Sequence, residues 1–124
     1  MLDLKFLLLA ALYLAGGVGL GIHMAINDDF LLAPAHAHLN LLGWASCAIF
    51  GLFYRAYPLA AETRLAKVHF VLAVISALIL PVGIAVSILT HDVLLAVIGS
   101  LGWAAAVLCF IGVVAVEIKR DRRA

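Results

Sequence analysis

The sequence has very little charge for its length. Of its 124 residues, 12% are charged and 67% are apolar, and the formal net charge is +1. About a quarter of the residues of a typical soluble domain are charged, so this chain has too few polar side chains to cover a water-facing surface. The high hydrophobicity also excludes intrinsic disorder. A net charge near zero leaves no basic surface for the phosphates of a nucleic acid.

The familiar sequence signs of enzyme chemistry are also missing. The chain has no nucleophile beside a base, no phosphate-binding loop and no pair of carboxylates at catalytic spacing. It has only two cysteines, Cys47 and Cys109, and they form no CxxC motif. Both fall inside apolar segments, which predicts that they are small packing residues rather than redox or metal groups.

Long apolar runs take up most of the chain. A membrane-spanning helix needs about 20 apolar residues, and four segments qualify, at about residues 4–26, 37–57, 68–90 and 93–116. The first run resembles a signal peptide at its start, but it continues to residue 26, so we expect a retained helix. We therefore predict a single all-α integral membrane domain over residues 1–124, with four transmembrane helices. The GxxxG spacing of Gly17 and Gly21 indicates close packing of the first helix.

The basic residues predict the orientation of these helices. The connections around residues 27–35 and 90–92 contain no Lys or Arg, whereas all eight basic residues fall on the opposite side. Positively charged flanks stay on the cytoplasmic side of a membrane. We therefore expect a multi-pass protein of a bacterial-type inner membrane with both termini in the cytoplasm. The eight residues are Lys5, Arg55, Arg64, Lys67, Lys119, Arg120, Arg122 and Arg123.

Four of the five histidines are predicted to lie at one depth, near the outer interface. They are His23, His36, His38 and His91, whereas His69 lies at the cytoplasmic end of the third helix. Ionisable side chains at such a depth are costly and are functional candidates by default. Residues two apart on an α-helix are separated by about 200°, so His36 and His38 point to opposite sides. Neutral imidazole is a suitable axial ligand for haem iron, which takes one ligand above and one below the macrocycle.

The second helix resembles a haem-ligating helix of haem–copper oxidase subunit I. The similar residues are AHAHLNLLGW at 35–44, IFGLFY at 49–54, and Pro58 after the helix. The tenth helix of that family has a His-x-His near its outer end, then a glycine, an Ile/Phe-Gly-Phe-aromatic stretch and an aromatic-Pro exit. The similarity covers about a fifth of the chain.

The resemblance implies that His36 and His38 are axial ligands of a b-type haem. The family's large subunit contains three arcs of four helices, so a four-helix chain similar to one arc is expected to form a homotrimer. His36 of one protomer and His38 of its neighbour would then hold a haem between them. Asn40 is expected to orient a ligand or a propionate, and Trp44 to contact the edge of the macrocycle. The implied role is that of a cytochrome-like protein in electron transfer or haem sensing, with an unknown redox partner.

The sequence also departs from that family, and other functions stay open. It lacks the His-Pro-Glu motif and the adjacent His-His pair of the copper site, so oxygen reduction is doubtful and enzymatic activity stays undecided. One alternative is an outer-side site for copper or zinc, because imidazole suits both metals. Another is a structural membrane subunit whose histidines do no chemistry. The candidate ligands of the metal alternative are His23, His36, His38, His91 and the nearby Asp28.

Overall fold

A computed structural model describes residues 1–123 as helices joined by short turns, with no strand in that range. The helices are α1 (Leu2–Asn27), α2 (Ala33–Ala56), α3 (Pro58–Ala61), α4 (Arg64–Thr90) and α5 (Leu94–Asp121). All except the four-residue α3 are long and apolar enough to cross a membrane. The predicted all-α architecture with four candidate spans is therefore confirmed.

The helices begin earlier or end later than the apolar runs predict. The sequence suggests that the second helix starts near residue 37, but Pro34 occupies its first turn. A proline there costs nothing, because the N–H that it lacks would have no helical partner. The third long helix, α4, starts at Arg64, because the Thr63 hydroxyl accepts a hydrogen bond from the backbone amide of Ala66 at 3.1 Å. Such a cap fixes a helix start that hydrophobicity alone does not reveal.

Successive long helices run antiparallel. Asp3 at the start of α1 forms an ion pair with Arg55 at the end of α2, with 3.2 Å between carboxylate and guanidinium. Gly21, near the end of α1, faces His36 near the start of α2. Four alternating helices place the start of α1 and the end of α5 at the same end of the bundle, here called the terminal end. The opposite end, which holds the turns at residues 28–32 and 91–93, is called the turn end.

The pair α4 and α5 packs backbone against backbone. A Cβ atom built on Gly99 would lie 2.7 Å from the Cα of Leu80, and one built on Gly83 would lie 2.6 Å from the carbonyl carbon of Leu95. Both distances are too short for any side chain. Close approach of small residues supplies the van der Waals contact that holds helices together in lipid, so these glycines determine the spacing of the pair.

An aromatic cluster joins the four long helices towards the terminal end. His69 of α4 lies 5.3 Å from Phe6 of α1, 4.5 Å from Phe50 of α2 and 5.2 Å from Phe110 of α5, measured between ring centroids. Cys47 is fully buried beside this cluster and forms no disulfide, in agreement with its predicted packing role. The cluster thus forms the main contact among all four helices.

Candidate functional site

His36 lies against α1 at the turn end. A Cβ atom on Gly21 would lie 3.1 Å from Cε1 of the His36 ring, and one on Gly17 would lie 2.6 Å from Nδ2 of Asn40. The two glycines of the GxxxG spacing therefore make room for two polar side chains of the same protein chain. Because α1 carries no side chain at these two positions, α2 can place a histidine and an asparagine in the interface.

Asn40 fixes the position of His36 without occupying its ring nitrogens. Its amide Nδ2 donates to the His36 backbone carbonyl at 2.9 Å. The same nitrogen lies 3.4 Å from both Nδ1 and Nε2 of the ring, which is beyond the usual range of a protein hydrogen bond. The ring therefore packs against Gly21, and neither of its nitrogens has a short hydrogen bond to Asn40.

His38 has a defined tautomer. Its Nδ1 lies 2.8 Å from the backbone carbonyl oxygen of Pro34. A carbonyl only accepts hydrogen bonds, so Nδ1 carries the hydrogen and Nε2 of the neutral ring keeps its lone pair. Histidines that bind a metal typically make this same bond through their other nitrogen. His38 is half-buried, and its ring contacts the first turn of α2, whereas the ring of His36 faces α1.

The remaining predicted residues are not brought together with this pair. Trp44 is 42% exposed on the outer surface of α2. His23 is exposed at the end of α1, where its carbonyl oxygen accepts a hydrogen bond from Asn27 at 2.8 Å. His91 is also exposed and occupies a left-handed backbone position with a φ of 62° after α4. Among the predicted residues, the structure shows a hydrogen bond between Asn40 and His36.

One chain does not assemble the predicted copper or zinc site. Within residues 1–123, no three or more His, Cys, Asp or Glu side chains lie close enough to hold a metal ion. His23, His36, His38, His91 and Asp28 would therefore need side chains from further copies of the chain to form such a site. That alternative stays a prediction.

A π-helical segment follows the histidine pair directly. It covers Leu39–Ser46 inside α2, where the sequence predicts an ordinary α-helix. The Ser46 hydroxyl donates to the Leu41 carbonyl at 2.8 Å, five residues earlier, and so helps to satisfy the widened turn. At Gly43 a Cβ atom would lie 2.8 Å from Cβ of Tyr13, so the α1 side chain fills the place of the missing one. Segments of this kind occur frequently at functional sites.

His69 is a polar residue whose burial the sequence analysis does not predict. It is fully buried, its Nδ1 lies 2.9 Å from the Tyr54 hydroxyl oxygen, and its Nε2 has no hydrogen-bond partner among the described residues. A signal for this burial was present in the sequence. His69 shares one helical face with Ala66, Ala73 and Ser76, and all three are buried small residues of α4.

The Tyr54–His69 pair predicts an effect on stability. Tyr54→Phe leaves a second polar atom of His69 buried without a partner, which should lower the free energy of unfolding by about 1–3 kcal/mol. The double variant Tyr54→Phe/His69→Leu removes both partners and should cost less than the sum of the two single variants. Denaturant titration in detergent micelles, followed by tryptophan fluorescence, measures these values. Strict additivity would show that the two side chains are not coupled.

Comparison with known proteins yields no relative for this chain. No protein-family model matches it, no curated protein matches it and no solved structure matches it. The expectation of a haem site therefore rests on the residues of α2 and on the geometry of His36 and His38.

Proposed function

We propose that this chain is a membrane haem-binding protein in which His36 and His38 are axial ligands of a b-type haem. The observation that carries the proposal is the bond from Nδ1 of His38 to the Pro34 carbonyl, at 2.8 Å. Because Nδ1 carries the hydrogen in this bond, Nε2 of the half-buried imidazole keeps a free lone pair at the turn end of the bundle. A free imidazole nitrogen in an apolar setting is the donor that haem iron binds in cytochromes.

Contacts around the two rings would orient them as ligands of such a cofactor. Pro34 fixes the tautomer of His38, and the ring of His36 packs against Gly21. A bound haem would supply one-electron redox chemistry, while the protein would orient its ligands and limit access of water. This chemistry suits electron transfer or haem sensing in the membrane.

The proposed site would be shared between copies of the chain. His36 and His38 of a single chain lie on different sides of α2, so one chain would not place both on the same haem. A haem with two different histidine ligands would then take His36 from one protomer and His38 from another. A homotrimer agrees with the similarity of α2 to an oxidase whose core has three arcs of four helices.

The proposed location follows from the distribution of charge. The start of α1 and the end of α5 share one end of the bundle, and the basic residues of the chain were predicted to lie on that side. The positive-inside rule assigns it to the cytoplasm of a bacterial-type inner membrane. The two histidines would then lie near the outer interface, where an extracytoplasmic redox partner could reach the haem.

The direct test is the absorption spectrum of the purified full-length chain supplied with haem. We expect a Soret band, one haem per chain, and a mass in solution that corresponds to three chains. Absence of a Soret band would overturn the proposal. A monomeric haem complex would retain haem binding but contradict the shared site. Stoichiometric copper or zinc without haem would favour the metal alternative instead.

A further inference from the structure

The end of α5 carries a recess lined by cations. Lys119, Arg120 and Arg123, together with Val116, line a cavity of about 250 Å³. Positions separated by three, four and seven residues share one face of an α-helix. Val116, Lys119 and Arg120 share one face of α5, and Arg123 continues this strip from the turn after the helix. These four residues are here called the basic recess.

Positive charge in the basic recess is only partly neutralised. Arg120 forms an ion pair with Glu117 at 2.6 Å. No carboxylate from the described part of the chain forms an ion pair with Lys119 or Arg123. Cations also interact favourably with the carbonyl end of a helix, which carries a partial negative charge. Two exposed positive side chains thus remain available to an anion.

The strip changes from charged to apolar in the direction of the membrane interior. Val116 is 43% exposed, and Leu108, which lies eleven residues before Lys119 and so shares its side of the helix, is 68% exposed. An anion without an apolar part would contact only the cations. A molecule with an anionic head followed by an acyl chain would contact both the cations and the apolar surface beyond them.

We propose that the basic recess binds the phosphate headgroup of an anionic phospholipid, whose acyl chain lies along α5 beyond Val116. The guanidinium of Arg123 can donate two parallel hydrogen bonds to phosphate oxygens, and Lys119 adds a point charge. This binding is independent of the haem proposal, because it uses no residue of the histidine site.

Titration of the detergent-purified full-length chain with single phospholipids, followed by native mass spectrometry, tests this proposal. Each cation near a headgroup contributes about a fivefold gain in affinity for anionic lipid. We expect phosphatidylglycerol to bind more tightly than phosphatidylcholine. The double variant Lys119→Gln/Arg123→Gln should lose about 25-fold of that preference. The matched control is Arg64→Gln/Lys67→Gln, which removes two exposed cations from the same end of α4 and should keep the preference.

Several outcomes would overturn the site. Equal binding of the two lipids would do so, as would equal losses in both double variants. Competition by millimolar inorganic phosphate as strong as that by lipid would show that a free anion is the ligand. Because Lys119 and Arg123 are exposed, the variant should keep the wild-type helix content and melting temperature. Arg123→Lys should keep part of the preference, because it keeps the charge but loses the two parallel hydrogen bonds to phosphate.

Discussion

Replacing His38 by Ala is expected to remove most of the bound haem from the purified protein. The substitution deletes the imidazole whose tautomer is fixed by Pro34, and alanine offers no atom that could bind iron in its place. Loss of an outer hydrogen-bond partner alone typically costs about 10–100-fold in metal affinity. Loss of the ligand itself should exceed that range. Haem content per chain, measured by the pyridine haemochrome assay, gives the result.

Two other histidines provide controls for this experiment. His23→Ala and His91→Asn change exposed histidines of the turn end, and asparagine tolerates the left-handed backbone at residue 91. Both variants should keep the wild-type haem content. If the outer-side metal site is correct, both should instead lower the amount of copper or zinc that copurifies. A His38→Ala protein with an unchanged Soret band would contradict the haem assignment.

The second large effect is expected at Gly83. Gly83→Ala would place a methyl group 2.6 Å from the carbonyl carbon of Leu95, and the obstacle is helix backbone rather than a flexible side chain. The helices α4 and α5 would have to move apart along their closest contact. Overpacking of this kind costs about 1–3 kcal/mol and sometimes more. We expect a markedly lower melting temperature in detergent, measured by circular dichroism.

Gly19→Ala is the matched control. A Cβ atom at Gly19 meets nothing within 4 Å in the described chain, although Gly19 also lies inside a helix that is long and apolar enough to cross a membrane. Alanine is the better helix former by about 0.5–1 kcal/mol, so this variant should be as stable as the wild type or slightly more stable. If both alanine variants behaved alike, the close packing of α4 against α5 would not be the cause of the loss.

The four candidate membrane spans could be predicted from the sequence, because the length and hydrophobicity of a segment decide whether it can cross a bilayer. It was less accurate for their ends, which depend on local features such as Pro34 in a first turn and the Thr63 cap. The different directions of His36 and His38 were predictable because residues 33–38 form a regular α-helix. Their angular separation follows from helix geometry without any tertiary contact.

The other site features depend on neighbours that a single sequence does not reveal. The fixed tautomer of His38 comes from its side-chain conformation, and the buried position of His69 comes from rings contributed by α1, α2 and α5. The role of Gly17 as space for Asn40 requires the relative register of two helices. The burial of His69 and the role of Gly17 are thus tertiary effects, whereas the bond between His38 and Pro34 is local to α2 and depends on the rotamer of His38.

The π-helical segment also separates α2 into two α-helical halves. One half presents His36 and His38 at the turn end, and the other presents Phe50 and Tyr54 to the aromatic cluster. Loss or gain of a single residue within Leu39–Ser46 would rotate one half against the other by about 100°, leaving both sets of side chains intact. The direction in which the histidines face thus depends on the number of residues in this segment. An insertion or deletion there would change it, whereas a substitution would not.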